Sequence, residues 1–215
     1  MTLLNMRTLA LDWLDDSAGT YFTSSVLNLR LNLAMWELQK RLISANKEYF
    51  VKCVKTSTVS GQQYYSLPTD CLQIVRLEWY ETGQSASELS RKIESMTPNQ
   101  RDMLVNVQGD PQYYSLAKQN ICIWPIPNRV VEVHLEYNYQ VTFMVNDSDI
   151  PDIPLMFHEY IPILATRDCL IKDGRPIQPL EAKLNEYEML LKQFAVQRQA
   201  DSPRYVVQTS KDWAW

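Results

Sequence analysis

The stretch VVEVHLEYNYQV, Val130–Val141, sets Val131, Val133, Leu135, Tyr137, Tyr139 and Val141 against Glu132, His134, Glu136, Asn138 and Gln140. Side chains alternate across a strand, so the first set shares one face and the second the other. One dry face and one wet face are the mark of an antiparallel sheet or sandwich. The segments on either side have the same character. EYFVKCVKTSTV (Glu48–Val59) is rich in β-branched and aromatic residues, and LQIVRLEWYE (Leu72–Glu81) puts Val75, Leu77 and Trp79 on one face. Residues 49–145 are therefore expected to be mainly β. SASELSRKIESMTPNQRDML (Ser85–Leu104) breaks the pattern and reads as a helical insertion over about 86–104.

Within this region QYYSL occurs twice, at Gln63–Leu67 and Gln112–Leu116, each just after a glycine, Gly61 or Gly109. The apolar phase runs on through Leu72 and Ile74 after one copy and through Ile121 and Ile123 after the other. Two copies are too few for a repeat architecture. The echo predicts two strand–turn–strand units built to one local recipe.

Both ends of the chain read as helix. Leu3, Leu4, Leu9, Leu11, Trp13 and Leu14 suit a short amphipathic helix rather than a signal peptide, since Asn5 and Arg7 interrupt it and no small-residue cleavage site follows. Leu27, Leu31, Ala34, Leu38 and Leu42 then recur at helical spacing, with Thr23 to Ser25 as caps. VLNLRLNL at the start of that segment also alternates with period two, so a strand competes there; length and Leu, Glu, Gln, Lys and Arg content favour helix. These helices cover about 3–45. Toward the other end, Leu155–Asp173 is helical in pattern, with a turn before Pro162, a main helix from there on, and Gly174 as its C′ glycine. Pro179 suits N1 of a last helix, whose Leu180, Leu184, Tyr187, Leu191 and Phe194 form a stripe and whose Glu188 and Lys192 form an i,i+4 pair. The two make a helical hairpin over about 155–200. DSPRYVVQTSKDWAW then breaks at Pro203 and becomes strand-like and aromatic, which predicts an extended arm over 201–215 that docks on a partner. The expected fold class is α+β: an antiparallel β-sandwich-like core framed by N-terminal helices and a C-terminal helical hairpin, one domain over 1–200.

Composition excludes several functions. Five glycines build no phosphate cradle, and no GxGxxG or Walker loop is present. Asp and Glu outnumber Lys and Arg 25 to 21, with no basic run, so the chain does not grip DNA by its phosphates. No run of about 18 apolar residues exists, so no membrane span is expected. Cys53, Cys71, Cys122 and Cys169 lack metal spacing and read as buried, reduced thiols. HEYIP (His158–Pro162) fails as HExxH because Pro162 stands where a ligand is needed. DSDIPD (Asp147–Asp152) fails as a calcium loop and reads as a solvated turn. His134 lies mid-strand and His158 at a helix start, neither with a nucleophile nearby in sequence, and the pair Asp15 and Asp16 carries no weight. The residues assign no catalytic site, cofactor or metal.

One ordered set of motifs carries more. YYSLPTD (Tyr64–Asp70), GDPQYY (Gly109–Tyr114), ICIWPIP (Ile121–Pro127), a long strand ending in tyrosines and DIPDIP (Asp149–Pro154) follow in that order. Over roughly residues 20–200 the chain resembles the head-to-tail adaptor (connector) proteins of tailed bacteriophages, short-tailed ones especially. The resemblance implies a structural virion protein, not an enzyme. It implies a homo-oligomeric ring of about 12 copies between the portal protein and the tail or nozzle protein, at the capsid–tail junction of the virion. Such a protein is made in the host cytoplasm and extends a channel through which DNA passes without specific binding. The arm, with Arg204, Tyr205, Val206, Val207, Trp213 and Trp215, would dock on the portal. A tail-completion or nozzle protein is the neighbouring alternative. A carbohydrate- or receptor-binding β-sandwich module is another, because 12 tyrosines and 6 tryptophans supply stacking platforms.

Overall fold

Period-two and period-3.6 segments of the sequence become separate bodies. The computed structural model describes residues 1–81, 90–104 and 106–201. Helices α1 (Leu3–Trp13) and α2 (Ser24–Ala45) come first, then strands β1 (Val51–Ser57), β2 (Tyr64–Ser66), β3 (Cys71–Tyr80), β4 (Arg91–Lys92) and β5 (Glu94–Ser95). Helix α3 (Pro98–Met103) precedes β6 (Gln108–Gly109), β7 (Tyr113–Ala117), β8 (Asn120–Trp124), β9 (Ile126–Pro127) and β10 (Glu132–Tyr139). After a 3-10 turn at Leu155–Phe157 come α4 (Tyr160–Lys172) and α5 (Gln178–Asp201). The fold is α+β, as expected. The described residues form two compact units: a helical one from 3–46 and 154–201, and a β one from 47–153.

In the helical unit, α4 packs against α1, α2 and α5. A helix touched on so many sides must be apolar nearly all round, and Tyr160, Ile161, Ile163, Leu164, Ala165, Cys169 and Leu170 are all buried. From α2 the buried apolar set is Leu27, Leu31, Ala34, Met35, Leu38 and Leu42, so the period-two alternation at its start belongs to a helix. Pro162 lies in the first turn of α4, where its missing N–H leaves no bond unmade. The helix therefore begins two residues earlier than Pro162. At its end Gly174 adopts φ 67° while its N–H donates to Ile171 O and the Arg175 N–H to Leu170 O, the double closure of a Schellman motif. Along α5, Leu180, Tyr187 and Leu191 are buried on the expected stripe. Glu188 does not turn to Lys192. Its carboxylate accepts from Arg41 of α2 and from the Tyr160 hydroxyl of α4, because a cation and a phenol on packed helices outcompete an exposed neighbour.

In the β unit, one sheet has the order β1-β10-β3-β4 and the other β2-β8-β7-β5, while β6 and β9 pair by themselves. The two larger sheets share one core: Leu77, Trp79, Ile93, Ile121, Val131, Val133, Leu135 and Tyr137 are buried in one cluster. That is a sandwich, antiparallel except where β5 joins β7 in parallel. The two copies of QYYSL lie on opposite sides of a single strand. Tyr65 faces Ile121 of β8 across one ladder, and Tyr114 faces Ile123 across the other. Both tyrosines pack against the core cluster, which is the recipe that the echo encodes.

Strand β3 departs from its sequence pattern. Opposite β10 its register slips twice, between Glu136 and Tyr137 and again between Asn138 and Tyr139. Each bulge spends one extra residue of β3 and flips the side chains beyond it. Hence Leu77, Ile74 and Cys71 face Leu135, Tyr137 and Tyr139, while Val75 leaves the core and Leu72 is exposed. Asn138, expected on the wet face, is 0% exposed, and its amide donates to Lys47 O at 2.6 Å. The expected helical insertion is helical only in part. Residues 91–95 are two short strands around buried Ile93, helix occupies only Pro98–Met103, and residues 82–89 lie outside the described residues. The Thr97–Gln100 capping box with Pro98 behind it fixes that helix start.

Candidate functional site

The arm residues Arg204, Tyr205, Val206, Val207, Trp213 and Trp215 lie outside the described residues, which end with α5 at Asp201. The ordered motifs are all within them, and the structure gives each acidic motif residue a mechanical task. Asp70, at the end of YYSLPTD, accepts from Lys52 of β1 at 2.9 Å and from the Tyr137 hydroxyl of β10 at 3.0 Å. The Lys52 bond, opposed by some burial and helped by Tyr137, holds its carboxyl below the usual range. The reverse side of that contact is that burial and Asp70 push the Tyr137 phenol up to about 12. Asp110, from GDPQYY, grips Arg129 with both oxygens at 2.7 and 3.0 Å, and Arg129 reaches Glu81 at 3.1 Å. Arg129 and Arg91 lie over the Trp79 ring, 5.5 and 5.2 Å from its centroid.

DSDIPD is a turn, as its residue pattern suggests. Asp149 accepts from the Val145 and Asn146 N–H groups at 2.8 Å each, and those two bonds lower its pKa. Asp152 accepts from the Tyr139 hydroxyl at 2.5 Å, and burial together with that carboxylate pushes the Tyr139 phenol well up. Asp16, one of the pair with Asp15, closes the α1–α2 loop by accepting from the backbone of Tyr21, Phe22 and Thr20. These carboxylates are committed to loops and edges. None is left poised for proton transfer.

The two histidines are likewise occupied. His134 meets Glu132 at 2.5 Å with its ring against Tyr80, and His158 is buried with Nδ1 accepting from the Met1 amino group at 2.8 Å. Burial raises the thiols of Cys71, Cys122 and Cys169, which is unsuited to nucleophiles. Cys53, expected to be buried, is exposed, because both faces of β1 are solvated. Among the described residues no group of His, Cys, Asp and Glu is arranged to hold a metal, and no helix is long and apolar enough to cross a membrane.

Surfaces are what remain. Strand β1 is an outer strand of its sheet, with six of its seven residues exposed and Lys52 and Lys55 along it. On α2, Val26, Leu29 and Leu33 form an exposed apolar row opposite the buried stripe. Sequence reasoning missed that second row. Its signal was the alternation of VLNLRLNL, which on a helix means apolar residues on two faces rather than a strand.

The distinctive carboxylates tie loops, and the exposed features are a strand edge and an apolar row. The family model described as SU10 adaptor protein matches residues 1–209, and the chain belongs to that family of bacteriophage adaptors. No curated protein matches the chain.

Proposed function

We propose that this chain forms a ring joining the portal protein to the tail or nozzle protein of a bacteriophage, extending the DNA channel at the capsid–tail junction of the virion. Membership of the SU10 adaptor family across residues 1–209 is the observation that carries this reading. Residues 1–200 act as one adaptor body and residues 201–215 as its docking arm. The ring holds about 12 copies related by rotation. Synthesis is in the host cytoplasm and the mature site is the virion. DNA slides through without specific binding, in keeping with 25 acidic against 21 basic residues. No catalysis is required of it.

The arm suits strand addition to the portal. Tyr205 and Val207 alternate with Arg204 and Val206, so one pair enters pockets while main-chain bonds join an edge. Trp213 and Trp215 serve as aromatic anchors. The test is affinity purification of the tagged chain from cells that also make the portal and tail proteins, followed by mass spectrometry. Portal and tail proteins are expected with the full chain. A chain truncated after Asp201 should keep its melting temperature and lose the portal. A portal present in those cells and left unbound by the full chain overturns the reading.

A further inference from the structure

Two unlike surfaces of this chain complement each other. The first lies on the helical unit. The outward row of α2 exposes Leu29 at 55% and Leu33 at 40%, and with Val26 it runs into a hollow of about 160 Å³. Tyr21, Phe22 and Cys169 line that hollow together with two cations, Arg30 and Lys172. Its carboxylate, Asp173, already accepts from the Tyr21 hydroxyl at 2.8 Å, whereas Arg30 and Lys172 have no ion-pair partner among the described residues. The face is apolar with unbalanced positive charge.

The second surface is the turn at residues 145–152 of the β unit. Asp149 ties the Val145 and Asn146 N–H groups, so the turn has a fixed shape. From it Val145 projects at 75% exposure and Ile150 at 64%. Around them stand Asp147, Asp149 and Asp152, and between Arg129 and Arg167 the sequence contains no lysine or arginine at all. This turn is apolar and carries negative charge with no basic residue of its own.

We propose that the 145–152 turn of one copy docks on the α2 row and hollow of the next, Val145 and Ile150 against Val26, Leu29 and Leu33, with the turn's carboxylates facing Arg30 and Lys172. The occupant is a second copy because one chain carries both halves of the charge match; two α2 rows facing each other would set Arg30 against Arg30. Contact between unlike patches is heterologous, and repeated by rotation it closes a ring. The inference rests on the ring reading above and supplies its subunit contact.

Self-association of the full-length chain, measured by sedimentation over rising concentration, tests it without any portal. Leu29→Glu with Leu33→Glu spoils one half, and Val145→Lys with Ile150→Lys spoils the other; all four positions are exposed, so melting temperatures should hold. Each double variant alone is expected to weaken self-association about a hundredfold. Mixed together they should combine through the surviving halves and stop at a pair. Ile150→Lys should also be rescued by Arg30→Glu. Wild-type chain that stays monomeric throughout, self-association that survives both double variants, or a mixture that does not pair overturns the contact. Those results leave the adaptor reading standing, which fails only with portal and tail binding.

Discussion

The helical unit and the β unit solve the same problem of burying apolar surface with different hardware. In the helical unit a row of side chains at helical spacing does almost everything, and α4 is surrounded by it. Its polar additions include a seam where Glu37 pairs with Arg41 and Arg167 and Tyr160 stacks on Tyr187, and one loop staple, Asp16. In the β unit the apolar cluster is made of strands that meet from distant parts of the sequence, and acidic side chains hold the turns between them. Asp70, Asp110, Asp149 and Asp152 each tie a loop or an edge. Short-range spacing builds one unit, and long-range pairing secured by staples builds the other.

The largest losses are expected in the two cores. Trp79→Ala, at a residue 2% exposed that touches both sheets' cluster, is expected to destabilise the β unit by about 3–5 kcal/mol in denaturant unfolding. Leu38→Ala should lower the stability of the helical unit by about 2–5 kcal/mol. If the two units unfold separately, tryptophan and far-ultraviolet signals will report different midpoints for these variants; coincident midpoints would mean that the units melt as one.

Removing a staple is milder. Asp70→Ala loses the bonds from Lys52 and Tyr137 and should destabilise the β unit by about 1–2 kcal/mol, with a partly exposed ion pair contributing the smaller share. In the helical unit the matching staple is Asp16, which accepts three backbone N–H groups of the α1–α2 loop.

Titration gives the smallest and most symmetrical effects. Asp70 and Glu37 have lowered pKa values, Asp70 through Lys52 first; for Glu37 burial acts upward, but Arg167 and Arg41 outweigh it. A lowered carboxyl stabilises the folded state above its unfolded pKa, and that stability is lost as pH falls through the folded value. Both units should therefore weaken as pH drops below about 4, and Asp70→Asn should flatten the slope of the β unit alone. At the alkaline end, Tyr137 and Tyr187 are each raised to about 12, chiefly by burial and then by Asp70 and Glu159. Raised phenols stabilise fully below about 10 and lose that contribution as pH rises toward 12. Tyr137→Phe and Tyr187→Phe should each remove one share of the alkaline slope, read by melting temperature between those limits.

The same division explains what sequence reasoning reached. The α2 stripe, the Gly174 closure and the faces of Val131 to Tyr137 are local patterns, and the structure has them as read. The two bulges in β3 are not local. They exist only because β3 must match β10: of the residues that local pattern places on an apolar face, Leu77, Trp79 and Ile74 meet the core, Val75 and Leu72 do not, and Cys71 joins it. Ile93 as a core residue, Asn138 as a buried donor and Glu188 as the partner of Arg41 and Tyr160 likewise depend on neighbours far along the chain. Of the functional residues, the motif carboxylates were visible in the sequence while their tasks were not, since each task is defined by a distant lysine, arginine or tyrosine. The outward row of α2 was visible too, disguised as a strand-like alternation.

Two identical pentapeptides on opposite sides of β8 have a kinetic consequence. During folding either QYYSL can present the same backbone and the same tyrosines to Asn120–Trp124, so the sequence of the ladder does not tell the two flanks apart. Chain proximity does. Gln112–Leu116 meets β8 through a tight turn at Lys118, whereas Gln63–Leu67 must close a loop of some fifty residues. The nearer copy is expected to take its flank first, leaving the farther copy the flank still open. Order of arrival, rather than a difference in chemistry, sorts the two twins.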